Sequence, residues 1–318
     1  MHRQTAAAGL AAATILTLCA CSAGSPPTAN VAKPTAEKRV TAAGRRAKTV
    51  TTHAAATPAA AAQAAAAMPV VKMVGSSAQQ ALTAAIAPLA RADDGQVAVT
   101  VDDLTTGTEA AYGGTQEFVT ASIVKADILS TLLYQAQQSG RPLSSQDEAL
   151  ATTMIENSDN DAASDLYADA GGPAAIDQAN RLFGLTETTA GTAGMWGLTS
   201  TTTDDQVQLL RLIFTQPSVL TDQSQDYLQG LMSHVESDQQ WGVPAAADDG
   251  SPFMVKNGWL PDPATGLWEI NSIGQVVHDG QRMLIAVLSE GNDTEDSGIS
   301  LVESIAQTAA GAVAATHG

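Results

Sequence analysis

The chain has 318 residues, 44% hydrophobic but only 4% aromatic, with a formal net charge of −18 at pH 7. The charge is divided: residues 1–75 hold eight Lys/Arg against one acidic residue, net +7, whereas residues 76–318 hold seven against 32, net −25. An acidic domain of about 240 residues is ample for one α/β unit with an inserted helical portion, and its sign argues against nucleic acid as a partner and for solubility outside the cell.

The first residues read as an export signal. Residues 1–4 include Arg3, residues 5–18 are apolar and rich in Ala and Leu, and Leu18-Cys19-Ala20-Cys21 resembles a bacterial lipobox. Residues 1–21 therefore read as a lipoprotein signal peptide, with Cys21 lipidated as the mature N-terminus. The apolar run is too short to remain as a membrane span, so the membrane partner is reached by lipid alone, on the outer face of the cytoplasmic membrane. The alternative is a secretory signal cleaved near Ala23, and both readings export the protein. Cys19 and Cys21 are the only cysteines, which leaves the folded domain without disulfide or thiol.

Residues 22–75 read as a disordered basic tether: Ala, Thr and Pro dominate, and there is no aromatic residue to seed a core. Its pairs Lys38-Arg39 and Arg45-Arg46 suit anionic lipid or wall polymers, a solvated spacer being the other reading. The folded domain is expected over residues 76–318. Residues 97–101 alternate as a strand, turn at 105–107 and return through 110–112. A helix opens at Ser122, carries Ile123, Val124, Ile128, Leu129, Leu132 and Leu133 almost all round, and stops near Gly140, which marks it as central and buried. Helices follow over 162–170, 173–183 with Pro173 in the first turn, 204–214 opened by a capping box from Thr203 to Gln206, and 222–233. Strands return over 253–258, an edge strand, then over 268–277 and 283–288, and a helix around Leu301, Val302, Ile305 and Ala309 closes the chain.

Three short motifs carry the chemistry. In Ser122-Ile123-Val124-Lys125 the lysine lies one helical turn from the serine, on the same face, where it can take the hydroxyl proton. Alone this is a common tetrad, readable as an N-cap serine with a solvated lysine. An apolar run buries this lysine, however, and burial lowers a lysine pKa toward that of a useful base. Ser158-Asp159-Asn160 stands between a helical stretch and another helix start, where an ordinary Asx turn is the plainer reading. Lys256-Asn257-Gly258 sits in the edge strand, with a glycine that signals close approach of backbone or ligand.

Together and in this order the motifs resemble the penicillin-recognising serine enzymes, and within them the class A β-lactamases, whose signatures are Ser-x-x-Lys, Ser-Asp-Asn and Lys-Thr-Gly. The resemblance covers about residues 76 to 316, extending to Gly171-Gly172, Leu182-Phe183-Gly184-Leu185 and Thr201-Thr202-Thr203. It implies an α/β fold of the α+β type: an antiparallel sheet flanked by helices, plus an inserted all-helical subdomain, with the site in the cleft between them. It further implies that Ser122 is the acylated nucleophile and Lys125 its base. Ser158 and Lys256 would relay a proton to the leaving nitrogen. Asn160 and Gly258 would contact the substrate, the backbone N–H groups of Ser122 and Trp259 would form the oxyanion hole, and Asp159 would hold its turn.

Two departures stand out. Asn257 replaces the Thr or Ser whose hydroxyl helps grip the substrate carboxylate, so an amide would have to donate instead. The loop over 185–200 is short and lacks the Glu-x-x-Leu-Asn pattern that positions a deacylating water; only Glu187 could substitute, and a solvated loop carboxylate is its plainer reading. Slow deacylation is the consequence. No Cys/His constellation points to a metal or other cofactor, and neither His234 nor His278 has a nucleophile-elbow serine for company. Three functions stay open: a lactamase acting on β-lactams, a D-alanyl peptide hydrolase or sensor at the cell wall, and a non-catalytic binding lipoprotein. Nothing in the sequence calls for more than a monomer.

Overall fold

The computed structural model describes residues 76–92 and 95–317, so the expected signal peptide, Cys21 and the tether lie outside the described residues. Helix α1 (Ser76–Ala92) precedes the hairpin of β1 (Gln96–Asp103) and β2 (Thr108–Tyr112). A two-residue strand β3 (Phe118–Val119) and a 3-10 turn (Ala121–Ile123) lead into the central helix α2 (Val124–Ser139). Helices α3 (Ser145–Glu156), α4 (Asn160–Asp169) and α5 (Gly172–Phe183) follow. Strand β4 (Ser200–Thr201) and helices α6 (Thr203–Phe214) and α7 (Asp222–Met232) complete the helical portion. The chain then adds β5 (Met254–Pro261), β6 (Trp268–His278), β7 (Gln281–Asn292) and α8 (Glu295–Ala314).

The main sheet is antiparallel, in the order β2-β1-β7-β6-β5, which places β5 at an edge as expected. Strand β7 lies at its centre and shows why its apolar run does not alternate. Met283, Ile285 and Val287 face the core shared with α1 and α8, while Leu284, Ala286 and Leu288 face the core of the helical portion. A strand covered on both faces reads as continuously hydrophobic. In β1 the alternation is real, but its polar positions are not solvated. Thr100 donates to Asp204 at 2.9 Å, and Asp102 pairs with Arg211 of α6 at 2.6 Å, with Glu109 of β2 on the same guanidinium.

Every residue of α2 from Val124 to Leu133 is buried, since α3, α4, α5 and α7 pack around the helix and its apolar residues share one core with Ala98, Ile273, Leu284, Ala286 and Leu288 of the sheet. Gly140 ends it in the left-handed conformation, at φ +63. One element was not anticipated and one local expectation is corrected. Helix α1 was not among the elements expected from the sequence, although Ala78, Leu82 and Ile86 recur every four residues; they pack in the α8 core. The cap of α6 lies one residue earlier than expected: Thr202 accepts the Asp205 N–H at 3.1 Å, while the Gln206 amide donates to Thr201 at 2.9 Å.

Candidate active site

Ser122 lies in the 3-10 turn ahead of α2, so it does not cap the helix, and Lys125 falls in the first turn of α2 itself. Ala121, next to the serine, holds φ +47, and Ser158 holds φ +55. Left-handed backbone costs a non-glycine residue about 1–2 kcal/mol, so each is held there by its surroundings. Asp159 is the N-cap of α4, accepting the Ala162 N–H at 2.7 Å, the structural part expected of it.

Lys125 is fully buried, and four oxygens surround its Nζ: Ser122 Oγ at 3.0 Å, Ser158 O at 2.6 Å, Ser158 Oγ at 3.1 Å and Asn160 Oδ1 at 2.8 Å. Two of these, the Ser158 carbonyl and the Asn160 amide oxygen, can only accept. A neutral amine has two N–H bonds and one lone pair, so satisfying both leaves the lone pair for a serine hydroxyl. Burial pulls the Lys125 pKa down to about 7, against the opposing pull of the Asp159 carboxylate, and so favours that neutral form. Lys256, also fully buried, donates to Ser158 Oγ at 3.0 Å and to Asn257 O at 2.9 Å. Burial, and then the neighbouring Lys125, hold its pKa well below the ordinary lysine value. The result is a continuous polar chain from Ser122 Oγ through Lys125 and Ser158 to Lys256.

Strand β5 runs hard against the 3-10 turn. A Cβ on Gly258 would lie 2.7 Å from Ser122 N and 2.8 Å from Ile123 N, so only glycine permits this approach, and the Trp259 backbone follows directly. Asn257 departs from expectation. Its amide donates to Gln239 O at 2.7 Å and Trp241 O at 3.0 Å, and the side chain is 2% exposed, so both hydrogens are committed inside the protein. It has no donor left for a substrate.

The loop over 185–200 is pinned from several sides. Tyr167 donates to Gly191 O at 2.6 Å, Ala190 N–H donates to Asp177 at 2.8 Å, and Thr189 pairs with Ser200. Glu187 is not brought to the site: it is exposed, and its one hydrogen bond is its backbone N–H to Asp205 at 2.8 Å. Trp196 is brought there instead. Its ring centre lies 4.8 Å from Lys125 Nζ, and its indole N–H donates to Ser164 at 3.1 Å. The sequence reading missed Trp196; an aromatic residue in a short loop of a chain with so few was the available signal.

Among the described residues no group of three or more His, Cys, Asp or Glu is arranged to hold a metal. His234 contacts Ser233 at 3.0 Å and Gly230 O at 2.7 Å on the surface, and His278 contacts Ala246 O at 2.7 Å.

Solved structures with this fold include a class A β-lactamase from Bacteroides cellulosilyticus, with TM-score 0.66 and 18% identity, covering 75% of this chain and 99% of that one. A β-lactamase from Xanthomonas campestris gives TM-score 0.63 at 18% identity, covering 74% and 98%. An ancestral class A β-lactamase gives 0.62 at 21%, covering 73% and 99%. Among curated sequences, the "Putative lipoprotein LppW" of Mycobacterium tuberculosis, and that of Mycobacterium bovis, are 27% identical over 176 residues, 52% of this chain and 54% of theirs. The chain thus spans about half the length of these relatives. The family model described as the Beta-lactamase enzyme family matches residues 80–148 and 139–313, most of the folded part, and the chain belongs to that family.

Proposed function

We propose that the protein is an exported serine hydrolase that is acylated on Ser122 by β-lactams and releases the acyl group slowly. The observation that carries this reading is the placement of Lys125: a buried amine with its N–H bonds directed at Ser158 O and Asn160 Oδ1 and its lone pair free for Ser122 Oγ at 3.0 Å. Ser122 attacks the carbonyl carbon as Lys125 takes its proton. The backbone N–H groups of Ser122 and Trp259 hold the oxyanion; losing one such donor costs about 3–4 kcal/mol of barrier. The C–N bond then breaks, and Ser158, linked to both lysines, passes the proton to the leaving nitrogen. Asn160 turns its oxygen to Lys125, which leaves its amide N–H bonds for the substrate's side chain. Asn257 drops out of the substrate-binding set and Glu187 out of the catalytic one.

Slow release follows from what covers the acyl site. The side chain over Lys125 is the Trp196 indole, which cannot take a proton from water, and a positioned general base is ordinarily worth about 10² to 10⁴-fold. The same feature fits a second reading, a D-alanyl peptide hydrolase or sensor at the cell wall that β-lactams trap. Lipid anchoring through Cys21 belongs to either, and the LppW relatives carry the word lipoprotein in their name. The test is intact mass against time after mixing the chain with benzylpenicillin, with Ser122→Ala alongside. An adduct confined to the unsubstituted chain and persisting for minutes is expected. Rapid turnover without accumulation refutes slow release. No adduct on a folded chain, from benzylpenicillin or from its uncharged methyl ester, refutes the nucleophile and favours a non-catalytic binding lipoprotein.

A further inference from the structure

The corner of the site where a substrate carboxylate would be gripped is filled by the protein itself. Besides the two bonds from Asn257 to Gln239 O and Trp241 O, its cross-strand partner Ser272 accepts the Val243 N–H at 2.9 Å and is fully buried. Gly242, at φ +79, comes so close that a Cβ on it would lie 2.4 Å from Ser272 Oγ. The backbone of residues 239–243 is thereby bonded down onto neighbouring positions of β5 and β6. Trp241 of that segment meets Trp259 of β5 edge to face, with ring centres 6.0 Å apart.

The distribution of charge points the same way. In β3 and the 3-10 turn, the buried half of α2, the Ser158 turn with α4, the loops over 185–200 and 234–246, and strands β5 and β6, the only Lys or Arg residues are Lys125 and Lys256. Both are buried and already bonded to Ser158 Oγ. The same segments carry Asp159, Asp161, Glu187, Glu236 and Asp238 on a domain of net charge −25. An anionic substrate would approach against this field and find no guanidinium in these segments, and at position 257 neither a hydroxyl nor a free amide hydrogen.

We propose that the site takes acyl donors with no carboxylate beside the scissile bond: esters, amides or lactams uncharged at that end. This rests on Ser122 as the acylated residue. Ser122 Oγ adds to the carbonyl carbon, the C–N or C–O bond breaks, and the departing amine or alcohol receives the proton that Ser122 gave up. Water later hydrolyses the Ser122 ester to the free acid, with no other reactant.

The experiment compares benzylpenicillin with its methyl ester, which differ at that carboxylate. Acylation of the full chain is followed by intact mass at pH 8, at low and high ionic strength, with Ser122→Ala as control. The ester is expected to acylate about tenfold faster or more, and raising the salt should speed the free acid but not the ester. A free acid that acylates as fast as the ester overturns the substrate class and leaves Ser122 as the nucleophile. Absence of a Ser122 adduct from both overturns the nucleophile and this inference with it. As a second measurement, Asn257→Thr, which restores a hydroxyl, should narrow the ratio between the two compounds; an unchanged ratio in a folded variant overturns the role given to this corner.

Discussion

If Lys125 is the base for Ser122, acylation must follow its neutral form. With a pKa of about 7, roughly 1% of Lys125 is neutral at pH 5, about half at pH 7 and about 99% at pH 9. The rate constant should therefore rise about 50-fold between pH 5 and 7 and only about twofold more by pH 9. A lysine at its ordinary 10.5 would instead give about 100-fold between pH 7 and 9. Stopped-flow or quenched acylation by the neutral methyl ester measures this without titrating the substrate. A rise continuing to pH 9, or a flat profile, refutes the role. The same burial predicts a stability signature. Between about 7 and 10.5 the unfolded chain binds the proton more tightly, so stability rises with pH across that window and the full penalty, roughly 5 kcal/mol as an upper figure, applies below it. Lys125→Met should then be inactive but more stable than the parent at pH 6, measured by urea unfolding. Replacing Asp159 by Asn keeps a helix cap but removes the carboxylate that holds the pKa up, so the acylation midpoint should move to lower pH.

Asp127 gives the opposite window. It is buried in α2 with Asn180, Asp177 and Asp205 as its polar surroundings, and burial, foremost, raises its pKa to about 7. The folded state therefore binds the extra proton between about 3.8 and 7, and stability falls as pH rises through that range; Asp127→Asn should flatten the fall, gaining up to about 4 kcal/mol at pH 8 by calorimetry. Gly258→Ala places a methyl group 2.7 Å from Ser122 N and must push β5 off the turn, so the acylation rate should drop about 10² to 10³-fold while circular dichroism stays native. Trp196→Ala opens the space over Lys125 to water, and the Ser122 adduct should then decay about tenfold faster in the mass assay; an unchanged lifetime refutes the shielding role of the indole.

Much of this molecule was legible before its tertiary structure. The apolar periodicity of α2, its stop at Gly140, the edge position of β5 and the identity of Ser122, Lys125, Ser158 and Lys256 all follow from local pattern and motif order. These properties repeat along the chain at a helical or strand period, so neighbouring residues suffice to read them. Helix α1 was not among the expected elements: Ala78, Leu82 and Ile86 do recur every four residues, but what they pack against, α8, lies more than 200 positions away in the chain.

The site divides along the same line. Motif order determined which side chains could meet, and it determined the absence of the water-positioning pattern after Gly184. Only the tertiary structure decided where three side chains went. Asn257 turned inward to Gln239 and Trp241, Glu187 stayed at the surface, and Trp196 came to lie over Lys125. The physical reason is that a side chain's partner is set by whichever loop folds against it. The bonds that aim Asn257 reach 16 and 18 positions back, and the contact that places Trp196 spans two separate segments of the cleft, distances over which no local pattern carries information.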